Sequence, residues 1–519
     1  MEIKATAPHL ADATDGFRNS GAWPDTVLDH VALASAANPG QPALVDRRER
    51  FDYQGLDSAI DDCASELRRH VQEQDSVVVV AANDCRSAIA VHALRRIGAV
   101  CILISDHAEE KEIAQALERT SPRIAMAPRR MIDQLSDRHP SVRWMSTSTE
   151  GVDGASREPF VSSTSAPNLP GVVVFTSGST SRPKGVVHST NTLQVAAANY
   201  IEAAGLSASD VFILVSPLSS ITGVLQALVM APMLGGCVVF EDQWDDAGTF
   251  DLLLNEQATF YGGPDVILRR LLEEAERRDL SSVPLRAVSV GGAQLDTHLL
   301  RRAEKLFEIC VMRAYGSSEA PFSTTTPYTA DLEDRLELDG LPNRGVEVRI
   351  GSERDGSECL VRGPHLFLGY LDAEDNEDAF ESGWFRTGDA GVLRRGQLKI
   401  VGRLKEIVIR NGMKISMTQV EEAARNLAFI EDAAAFSQPD LDTGEHLALA
   451  VRPKDGIILD LDMVTNALLE CGLAKRGLPE ELIVWDGPFP MTVTAKLSRA
   501  ALAEESAGRP RLLVSRLQP

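Results

Sequence analysis

Residues 172–188 read VVVFTSGSTSRPKGVVH, and this stretch guides the interpretation of the whole chain. Its apolar, β-branched start, residues 172–175, is typical of a buried strand in a parallel sheet. The strand pattern breaks into six small residues, five with hydroxyl groups and one glycine. Hydroxyls and freed backbone N–H groups can surround phosphate oxygens, and Lys184 adds a movable positive charge. The stretch therefore predicts a strand and a polyanion-binding loop, after which Gly185 lets the chain turn away.

Two other interpretations of this stretch compete with a polyanion-binding loop. One is an ordinary Ser/Gly turn between strands, but such a turn does not need six small residues followed by Pro-Lys-Gly. The other is the P-loop of nucleoside triphosphatases, which requires the pattern G-x-x-x-x-G-K-[ST]. Here Lys184 precedes its glycine and no helix-opening Ser or Thr follows, so the P-loop pattern fails.

Length, charge and cysteine content narrow the classes of protein and partner. The chain has 519 residues, 44% of them apolar, which suits a large core and more than one domain. Its net charge of −23 argues against nucleic acid or an anionic membrane as the main partner. Seven scattered cysteines without a C-x-x-C pair indicate a reduced, cytoplasmic protein. We expect no signal peptide, and no membrane span because Pro232 and glycines interrupt the longest apolar stretch, residues 223–240.

Strand and helix patterns alternate between residues 26 and 290. The predicted helices are 26–36, 56–71, 86–97, 110–118 and 266–278, and the predicted strands are 76–82, 99–105, 123–127, 172–175, 211–215, 237–241, 259–262 and 286–290. Such alternation predicts two mostly parallel sheets covered by helices. Ligands of such sheets bind in the crevice at the carboxyl ends of the strands, where the loop after residue 175 begins.

The pattern changes in the last third of the chain. Residues 346–350 and 358–363 alternate with period two, as in an antiparallel layer. A shorter α+β pattern follows, with strands at 407–409 and 447–451 and helices at 418–427 and 461–471. We therefore predict an α/β protein with a large N-terminal domain at residues 1–401, a hinge at 402–405 and a small α+β C-terminal domain at 406–519.

Two motifs in the large domain carry residues suited to nucleotide chemistry. Residues 285–295 read LRAVSVGGAQL, a strand ending in glycines that let backbone approach a flat ring. Residues 313–320 read RAYGSSEA, in which Tyr315 offers an aromatic face, two serines offer hydroxyls, and Glu319 is an oxygen ligand suited to Mg²⁺. Alone, either motif could be an ordinary turn.

Three further motifs follow in order. Residues 383–393 read GWFRTGDAGVL and place Asp389 at an expected strand end, where its carboxylate can accept two hydrogen bonds from ribose hydroxyls. In GRLKE, Arg403 can contact phosphate or ribose through two N–H groups. Residues 488–499 read PFPMTVTAKLSR and contain Lys496. A single lysine or aspartate is usually only a surface residue, so the ordered combination carries the argument.

In this order the motifs resemble the adenylate-forming superfamily, which comprises acyl-CoA synthetases, adenylation domains and luciferases. The resemblance extends from residue 172 to residue 499. Ser181, Ser318 and Ala495 depart from it, because relatives usually have Gly, Thr and Gly there. The residues that the resemblance assigns to ATP or AMP are Thr176, Ser177, Gly178, Ser179, Thr180, Gly291, Gly292, Ala293, Ala314, Tyr315, Gly316, Ser317, Ser318 and Asp389.

The resemblance implies a two-step reaction that uses ATP, Mg²⁺ and coenzyme A. A carboxylate attacks the α-phosphate to give acyl-AMP and pyrophosphate, and a thiolate then expels AMP. Positive charge must offset the repulsion between the two anions in the first step. The implied catalytic residues are Lys184, Glu319, Arg403 and Lys496, and the implied Mg²⁺ ligands are Glu319 and Thr180.

The resemblance also implies that the small domain is mobile. Lys496 serves the first step and must make way for the thiol in the second, which a rotation about a hinge at Lys405 would achieve. Asn411 and Gly412 lie in the loop that lines the pantetheine channel in relatives.

The acid is predicted from the residues that line the acyl pocket in relatives. These are small or apolar, and none is basic: Ser220, Ile221, Tyr261, Ala320 and Pro321. We therefore expect an apolar monocarboxylic acid, and Ser220 stands where many relatives have a His or aromatic gate. The motifs are most similar to those of cyclohexanecarboxylate-type and medium-chain acyl-CoA ligases. Aryl-acid ligases are nearly as similar. Hydroxybenzoate-activating relatives tend to have an Asn in the acid-binding region, so the pair Asn199 and Tyr200 leaves a hydroxybenzoate-like substrate possible.

Two alternatives of other kinds stay open at this point. A stand-alone adenylation enzyme that loads a separate carrier protein would share every motif. A non-catalytic nucleotide-binding relative would explain the departures at Ser181, Ser220 and Ala495. The sequence also leaves open the individual acid, the pathway, and whether the protein is a monomer or a homodimer.

Overall fold

A computed structural model describes residues 3, 15–26, 28–148, 167–176, 182–291, 297–411, 413–490 and 497–517. The chain divides into two compact units. The first contains residues 1–349, 360–387 and 393–399, and the second contains residues 350–359, 388–392 and 400–519.

A seven-stranded sheet in the first unit carries the strand of the polyanion-binding motif. Five of its strands pair in parallel, and the two pairings at one edge of the sheet are antiparallel. The order across this sheet is β18 (Gly369–Tyr370), β8 (Lys184–Ser189), β7 (Pro170–Thr176), β4 (Val100–Ser105), β3 (Ser76–Ala81), β5 (Ile124–Ala127) and β6 (Arg143–Ser146).

The first unit also contains a nine-stranded sheet. Its centre is parallel and its outer pairs are antiparallel. The order is β15 (Leu341–Pro342), β14 (Thr324–Thr325), β13 (Cys310–Tyr315), β12 (Ala287–Val290), β11 (Phe260–Gly263), β9 (Val211–Leu214), β10 (Cys237–Phe240), β1 (Pro42–Val45) and β2 (Arg50–Asp52).

Helices cover both sheets. Ile113 and Leu117 of one helix pack into the core of the seven-stranded sheet, and Leu268 and Leu271 of another pack against Tyr261 of the nine-stranded sheet. The helices are α1 (His30–Ala37), α2 (Tyr53–Leu67), α3 (Cys85–Ile97), α4 (Glu110–Thr120), α5 (Ile132–Arg138), α6 (Thr190–Ala204), α7 (Ile221–Leu225), α8 (Ala231–Leu234), α9 (Asp246–Asn255), α10 (Asp265–Arg277), α11 (Thr297–Phe307) and α12 (Leu332–Glu337). A π-helical segment, Gln226–Met230, joins α7 to α8.

Between residues 347 and 403 the chain forms a further five-stranded sheet. Its path is β16 (Glu347–Ile350), β17 (Glu358–Arg362), β20 (Trp384–Arg394) and β19 (Phe380–Glu381), and β21 (Gln397–Arg403) also pairs with β20. The second unit contains a six-stranded sheet with strands β22 (Ile407–Arg410), β23 (Met413–Ser416), β24 (Ile430–Asp440), β25 (Gly444–Pro453), β26 (Glu481–Val484) and β27 (Arg511–Leu513). Its helices are α13 (Met417–Arg425), α14 (Leu461–Glu470) and α15 (Arg499–Glu505).

The predicted fold class, two mostly parallel and helix-covered sheets followed by an α+β region, is confirmed. Three local predictions were wrong. The chain does not turn away at Gly185, because Val186 and Val187 continue β8 and pair with β7. Asp389 lies inside β20 and not at a strand end, since Gly388 adopts a φ of 70° without ending the strand. The helix predicted at 26–36 begins only at His30, where the Asp29 carboxylate caps it.

No helix among the described residues is long and apolar enough to cross a bilayer.

A buried ion pair fixes the strand that leads into the RAYGSSEA motif. On β13, Arg313 donates through Nη2 to Asp339 Oδ1 at 2.7 Å and through Nη1 to the carbonyl of Leu336 at 2.9 Å. Only 5% and 2% of the two charged side chains are exposed. Removing one charge of such a pair leaves the other buried without compensation.

We expect Asp339→Asn to lower the free energy of unfolding of the first unit by about 3 kcal/mol, because the Arg313 charge stays buried. The urea midpoint of the transition, followed by tryptophan fluorescence and circular dichroism, checks this expectation. The exposed pair Arg362–Glu347 provides the control. Glu347→Gln should change stability by less than about 0.5 kcal/mol. Equal losses in the two variants would contradict the role assigned to the buried pair.

Candidate active site

The predicted phosphate loop falls, in the sequence, between the two strands of a hairpin. β7 ends at Thr176, whose register partner is Lys184 at the start of β8. A side chain at Gly185 would lie 2.9 Å from Leu371 Cβ and 3.3 Å from the Phe175 ring, so only glycine fits without displacement. The loop residues to which phosphate binding was assigned, Ser177, Gly178, Ser179 and Thr180, lie outside the described residues, as does Ser181.

Ion pairs anchor the chain where it leaves this loop. Arg119 on α4 donates to the carbonyl of Pro183 at 2.8 Å and pairs with Asp372. Arg182 contacts Asp372 at 3.1 Å and Glu374 at 2.7 Å. The entry to β8 is thus tied to both α4 and the segment after β18.

Lys184 is held close to a second predicted site residue through a tyrosine. Lys184 Nζ lies 4.5 Å from the ring centroid of Tyr370 and 3.5 Å from Asp375 Oδ1. The Tyr370 hydroxyl donates to Glu319 Oε1 at 2.7 Å. The structure therefore brings Lys184 and Glu319, 135 positions apart in the numbering of the chain, to the same aromatic side chain.

The RAYGSSEA motif forms a tight turn after β13. Gly316 has no room for a side chain, because a Cβ would lie 2.5 Å from the amide nitrogen of Phe322. Ser317 closes the turn, since its backbone N–H donates to the carbonyl of Ala320 at 3.3 Å. At the neighbouring strand end, a Cβ on Gly291 would lie 3.2 Å from the carbonyl oxygen of Ala314. At both motifs another part of the backbone therefore packs closely against a glycine.

The remaining residues predicted to contact adenine or the acid have little exposed surface. Tyr315 is 8% exposed, and Ala320 and Pro321 are buried. Gly292 and Ala293 lie outside the described residues.

His188, which sequence reasoning missed, connects β8 to this turn. Its Nε2–H donates to the carbonyl of Ser318 at 2.7 Å, and Nδ1 lies 3.0 Å from Thr192 Oγ1. Because a carbonyl can only accept, the proton must be on Nε2, and Nδ1 is left to accept from Thr192. Complete burial lowers the pKa of His188 to about 4, so the ring is neutral at pH 7. No motif pattern singled out this histidine.

Residues of the predicted acyl pocket are largely committed to local structure. Ser220 caps α7: its Oγ accepts from the Gly223 amide at 3.1 Å and donates to the carbonyl of Pro217 at 2.7 Å. Ile221 is the first residue of α7. Tyr261 is entirely buried in the core, and its hydroxyl donates to the carbonyl of Pro264 at 2.8 Å. A pocket role for these residues stays a prediction.

Asn199 and Tyr200, which left a hydroxybenzoate-like substrate possible, also contact other parts of the fold. Asn199 Nδ2 donates to the carbonyl of Arg344 at 2.8 Å. The ring of Tyr200 is buried and stacks on Phe322 with 3.9 Å between centroids. Their side chains therefore contribute to the packing of α6.

In the second unit, the predicted ribose and phosphate residues form an ion pair. Arg403 Nε lies 3.2 Å from Asp389 Oδ1, and the side chains are 57% and 7% exposed. Lys405 is exposed within the single turn Leu404–Glu406. Asn411 adopts a φ of 50°, and its amide donates to the carbonyl of Thr443 at 2.9 Å. Gly412 and Lys496 lie outside the described residues.

The two sheets, with Lys184 and Glu319 brought together beside the hairpin, are what is expected of an adenylate-forming type of protein. The AMP-binding enzyme family matches residues 31–371, and the chain belongs to this family. The predicted resemblance is thereby confirmed.

Individual relatives and structures agree with this membership. The chain is 25% identical to the medium-chain fatty-acid–CoA ligase of Escherichia coli K12, covering 97% of this chain and 94% of that protein. It is 27% identical to the indoleacetate–CoA ligase of Aromatoleum aromaticum, covering 89% and 94%. The fold matches o-succinylbenzoate CoA synthetase of Bacillus subtilis, solved with an acyl-adenylate intermediate, with a TM-score of 0.80, 21% identity, and coverage of 91% and 97%.

The buried, neutral His188 makes stability depend on pH. Its pKa is lower in the folded chain than in the unfolded chain, so the unfolded chain binds the proton more tightly. The stabilisation is complete above the ordinary value of about 6.5 and is lost as the pH falls through about 4, by about 3 kcal/mol at about 1.4 kcal/mol per pKa unit. Gln in its place keeps a donor for Ser318 without titrating.

We therefore expect the urea midpoint of the wild type to fall more steeply than that of His188→Gln between pH 7 and pH 4.5. Other titrating groups act equally in both proteins, so their difference isolates His188. Parallel pH curves for the two proteins would contradict a buried, neutral histidine.

Proposed function

We propose that this protein activates an apolar monocarboxylic acid with ATP to an acyl-adenylate, releases pyrophosphate, and transfers the acyl group to the thiol of coenzyme A. The reaction class, AMP-forming carboxylate–CoA ligation, agrees with the family and with the named CoA ligases that match nearly the whole chain. The prediction of a carboxylate–CoA ligase is confirmed. ATP, Mg²⁺ and coenzyme A follow from that reaction, and proteins of the same fold have been solved with ATP and with ATP and Mg²⁺ bound. The choice of acid is our inference.

One observation carries the proposal: Lys184 and Glu319 contact the same tyrosine. A carboxylate approaching a triphosphate is an anion approaching a polyanion, so the site must supply fixed positive charge. Lys184, at the end of the phosphate loop, supplies one such charge. Glu319 lies beside it as a candidate ligand for a second.

Glu319 is chemically suited to Mg²⁺. One carboxylate oxygen accepts from Tyr370, and within the described residues the other has no hydrogen-bond partner. Carboxylate oxygens are the ligands that Mg²⁺ takes in proteins, usually together with substrate phosphates. We propose that Glu319 and Thr180 hold the ion, which would neutralise phosphate charge during adenylation.

The remaining catalytic roles are proposals from the family motifs. Lys184 binds phosphate oxygens, Lys496 approaches the substrate carboxylate and α-phosphate, and Asp389 and Arg403 hold ribose or phosphate. The contact between Asp389 and Arg403 in the structure supports the last pair, because each side chain orients the other.

The second half-reaction calls for different residues. We propose that Lys405 is a hinge and that Asn411 and Gly412 line the path of the pantetheine thiol once Lys496 has served adenylation. The left-handed conformation of Asn411, next to a glycine, is consistent with a tight turn at this point.

The acid is inferred from what the pocket residues can still do. The Ser220 hydroxyl is already hydrogen-bonded in the cap of α7, and Ala320 and Pro321 have no polar side-chain group. The amide N–H group of Asn199 donates to a backbone carbonyl, which disfavours the hydroxybenzoate-like alternative. A medium-chain or alicyclic monocarboxylic acid fits these residues best.

The cellular setting is proposed from the cysteines. The seven are scattered along the sequence without a C-x-x-C pair, as expected for a cytoplasmic protein. A separate carrier protein as the acyl acceptor, and a monomeric or homodimeric state, are left to experiment.

The function is tested by pyrophosphate release with ATP and Mg²⁺ across medium-chain, cyclohexane and aromatic acids, with and without coenzyme A. We expect release that depends on a medium-chain or cyclohexane acid, with AMP and an acyl thioester formed only when coenzyme A is present. Release that ignores coenzyme A would indicate a carrier protein as acceptor. No release with any acid would support the non-catalytic alternative.

The two half-reactions should depend on different residues. Lys496→Ala should slow acyl-adenylate formation by about 100-fold or more through loss of a charge that acts in the transition state. Thioester formation from preformed acyl-adenylate should be nearly unchanged. Gly412→Leu should do the reverse, because a side chain would obstruct the thiol.

The controls for this pair are Lys305→Ala, an exposed lysine, and Gly508→Leu, a glycine with open space around its Cβ position. Both should leave both rates within twofold. Equal loss of the two half-reactions in Lys496→Ala would refute its assigned role.

A further inference from the structure

Tyr370 lies between the two charged residues on which the proposed function depends. It is 5% exposed on β18, where it pairs with Val186 of β8. Its hydroxyl donates to Glu319 Oε1 at 2.7 Å, and its ring centroid lies 4.5 Å from Lys184 Nζ. One side chain thus contacts both the candidate metal ligand and the phosphate-loop lysine.

The tyrosine is itself held in place. Asn376 accepts from the Tyr370 amide at 2.8 Å and donates to its carbonyl at 3.2 Å, so the backbone is fixed on both sides. The ring packs edge-on against Phe367, with 4.9 Å between centroids. A phenol fixed in this way can hold a partner in one orientation.

Glu319 is fixed at two points. Its backbone carbonyl accepts from the Phe367 amide at 2.9 Å, and its carboxylate accepts from Tyr370. A hydrogen bond from a neutral donor to a carboxylate is stronger than one between neutral groups. Hydrogen bonds to a ligating carboxylate commonly set metal affinity, and losing one typically costs 10- to 100-fold.

The ring performs a second, separable task. A lysine ammonium over the face of an aromatic ring is attracted by the ring, by about 1 kcal/mol at a partly exposed site. Lys184 also approaches Asp375 at 3.5 Å, so the ring and one carboxylate both restrain the ammonium. The hydroxyl and the ring therefore act on different charges.

We propose that Tyr370 is a positioning residue that orients Glu319 through its hydroxyl and Lys184 through its ring. This inference rests on the proposed function. Tyr370 contacts no reactant in this scheme and acts only through the two charged residues.

The hydroxyl is tested with Tyr370→Phe, which keeps the ring. The probes are Mn²⁺, followed by electron paramagnetic resonance, and an ATP analogue with a methylene group between the α- and β-phosphates. We expect the dissociation constant of Mn²⁺ in the presence of the analogue to rise about 10- to 100-fold. Affinity for the analogue without metal should change less than twofold.

The ring is tested with Tyr370→Leu. This variant should lose the same metal affinity as Tyr370→Phe and also bind the metal-free analogue about fivefold more weakly, since Lys184 loses the aromatic face. Tyr328→Phe is the matched control, because it removes a phenol hydroxyl from a residue whose ring packs against Arg286. It should leave both affinities unchanged.

A double-mutant cycle with Glu319→Gln separates positioning from general destabilisation. In that background Tyr370→Phe should have no further effect on Mn²⁺ affinity. An equal additional loss would overturn the proposal. If Tyr370→Phe folds poorly, p-fluorophenylalanine at position 370 fills the space of the hydroxyl without donating, and p-aminophenylalanine should restore binding.

Binding measurements on the wild type separate failure of the proposed function from failure of the role assigned to Tyr370. If it shows no metal-dependent binding of the analogue, the proposed function fails and this inference fails with it. If the wild type binds both probes and Tyr370→Phe matches it, only the role of Tyr370 is refuted.

Discussion

The pairing of β8 between β7 and β18 is the constraint on which the candidate site depends. Antiparallel pairing with β7 returns the chain beside the strand it has just left, so the residues that flank the predicted phosphate loop, Thr176 and Lys184, lie opposite each other. The two-residue strand β18 then places Tyr370 next to Lys184. Val186 and Val187 of β8 point to opposite faces of the sheet and are both fully buried, so the strand is covered on both sides.

Beside this hairpin, hydrogen bonds from neutral donors hold Glu319 and the residue before it in place. His188 is neutral because it is buried, and it holds the turn next to Glu319 through a hydrogen bond to the Ser318 carbonyl without adding a charge there. Tyr370 does the same for the carboxylate. These neutral donors hold the Glu319 segment without an opposing charge, whereas Lys184 is restrained by the Asp375 carboxylate as well as by the Tyr370 ring.

The sequence predicted the strands and helices well where their signal is local. The period and composition around β3, β4 and α3 gave bounds within a residue of those observed. It placed Asp389 at a strand end and missed β8 as a strand, because both features depend on which strand lies alongside. It could not single out Tyr370 or His188, since neither belongs to a charged or glycine-rich pattern.

The sequence by itself determined the family, the reaction class and the residue types needed for it, because these lie in short motifs whose order along the chain is specific. Only the tertiary structure decided which of those residues meet. Lys184 and Glu319 are brought to one tyrosine by strand pairing, and Asp389 is brought to Arg403 by the strands that carry them. Contacts between distant segments follow from burying whole sheets and helices together, so no local pattern records them.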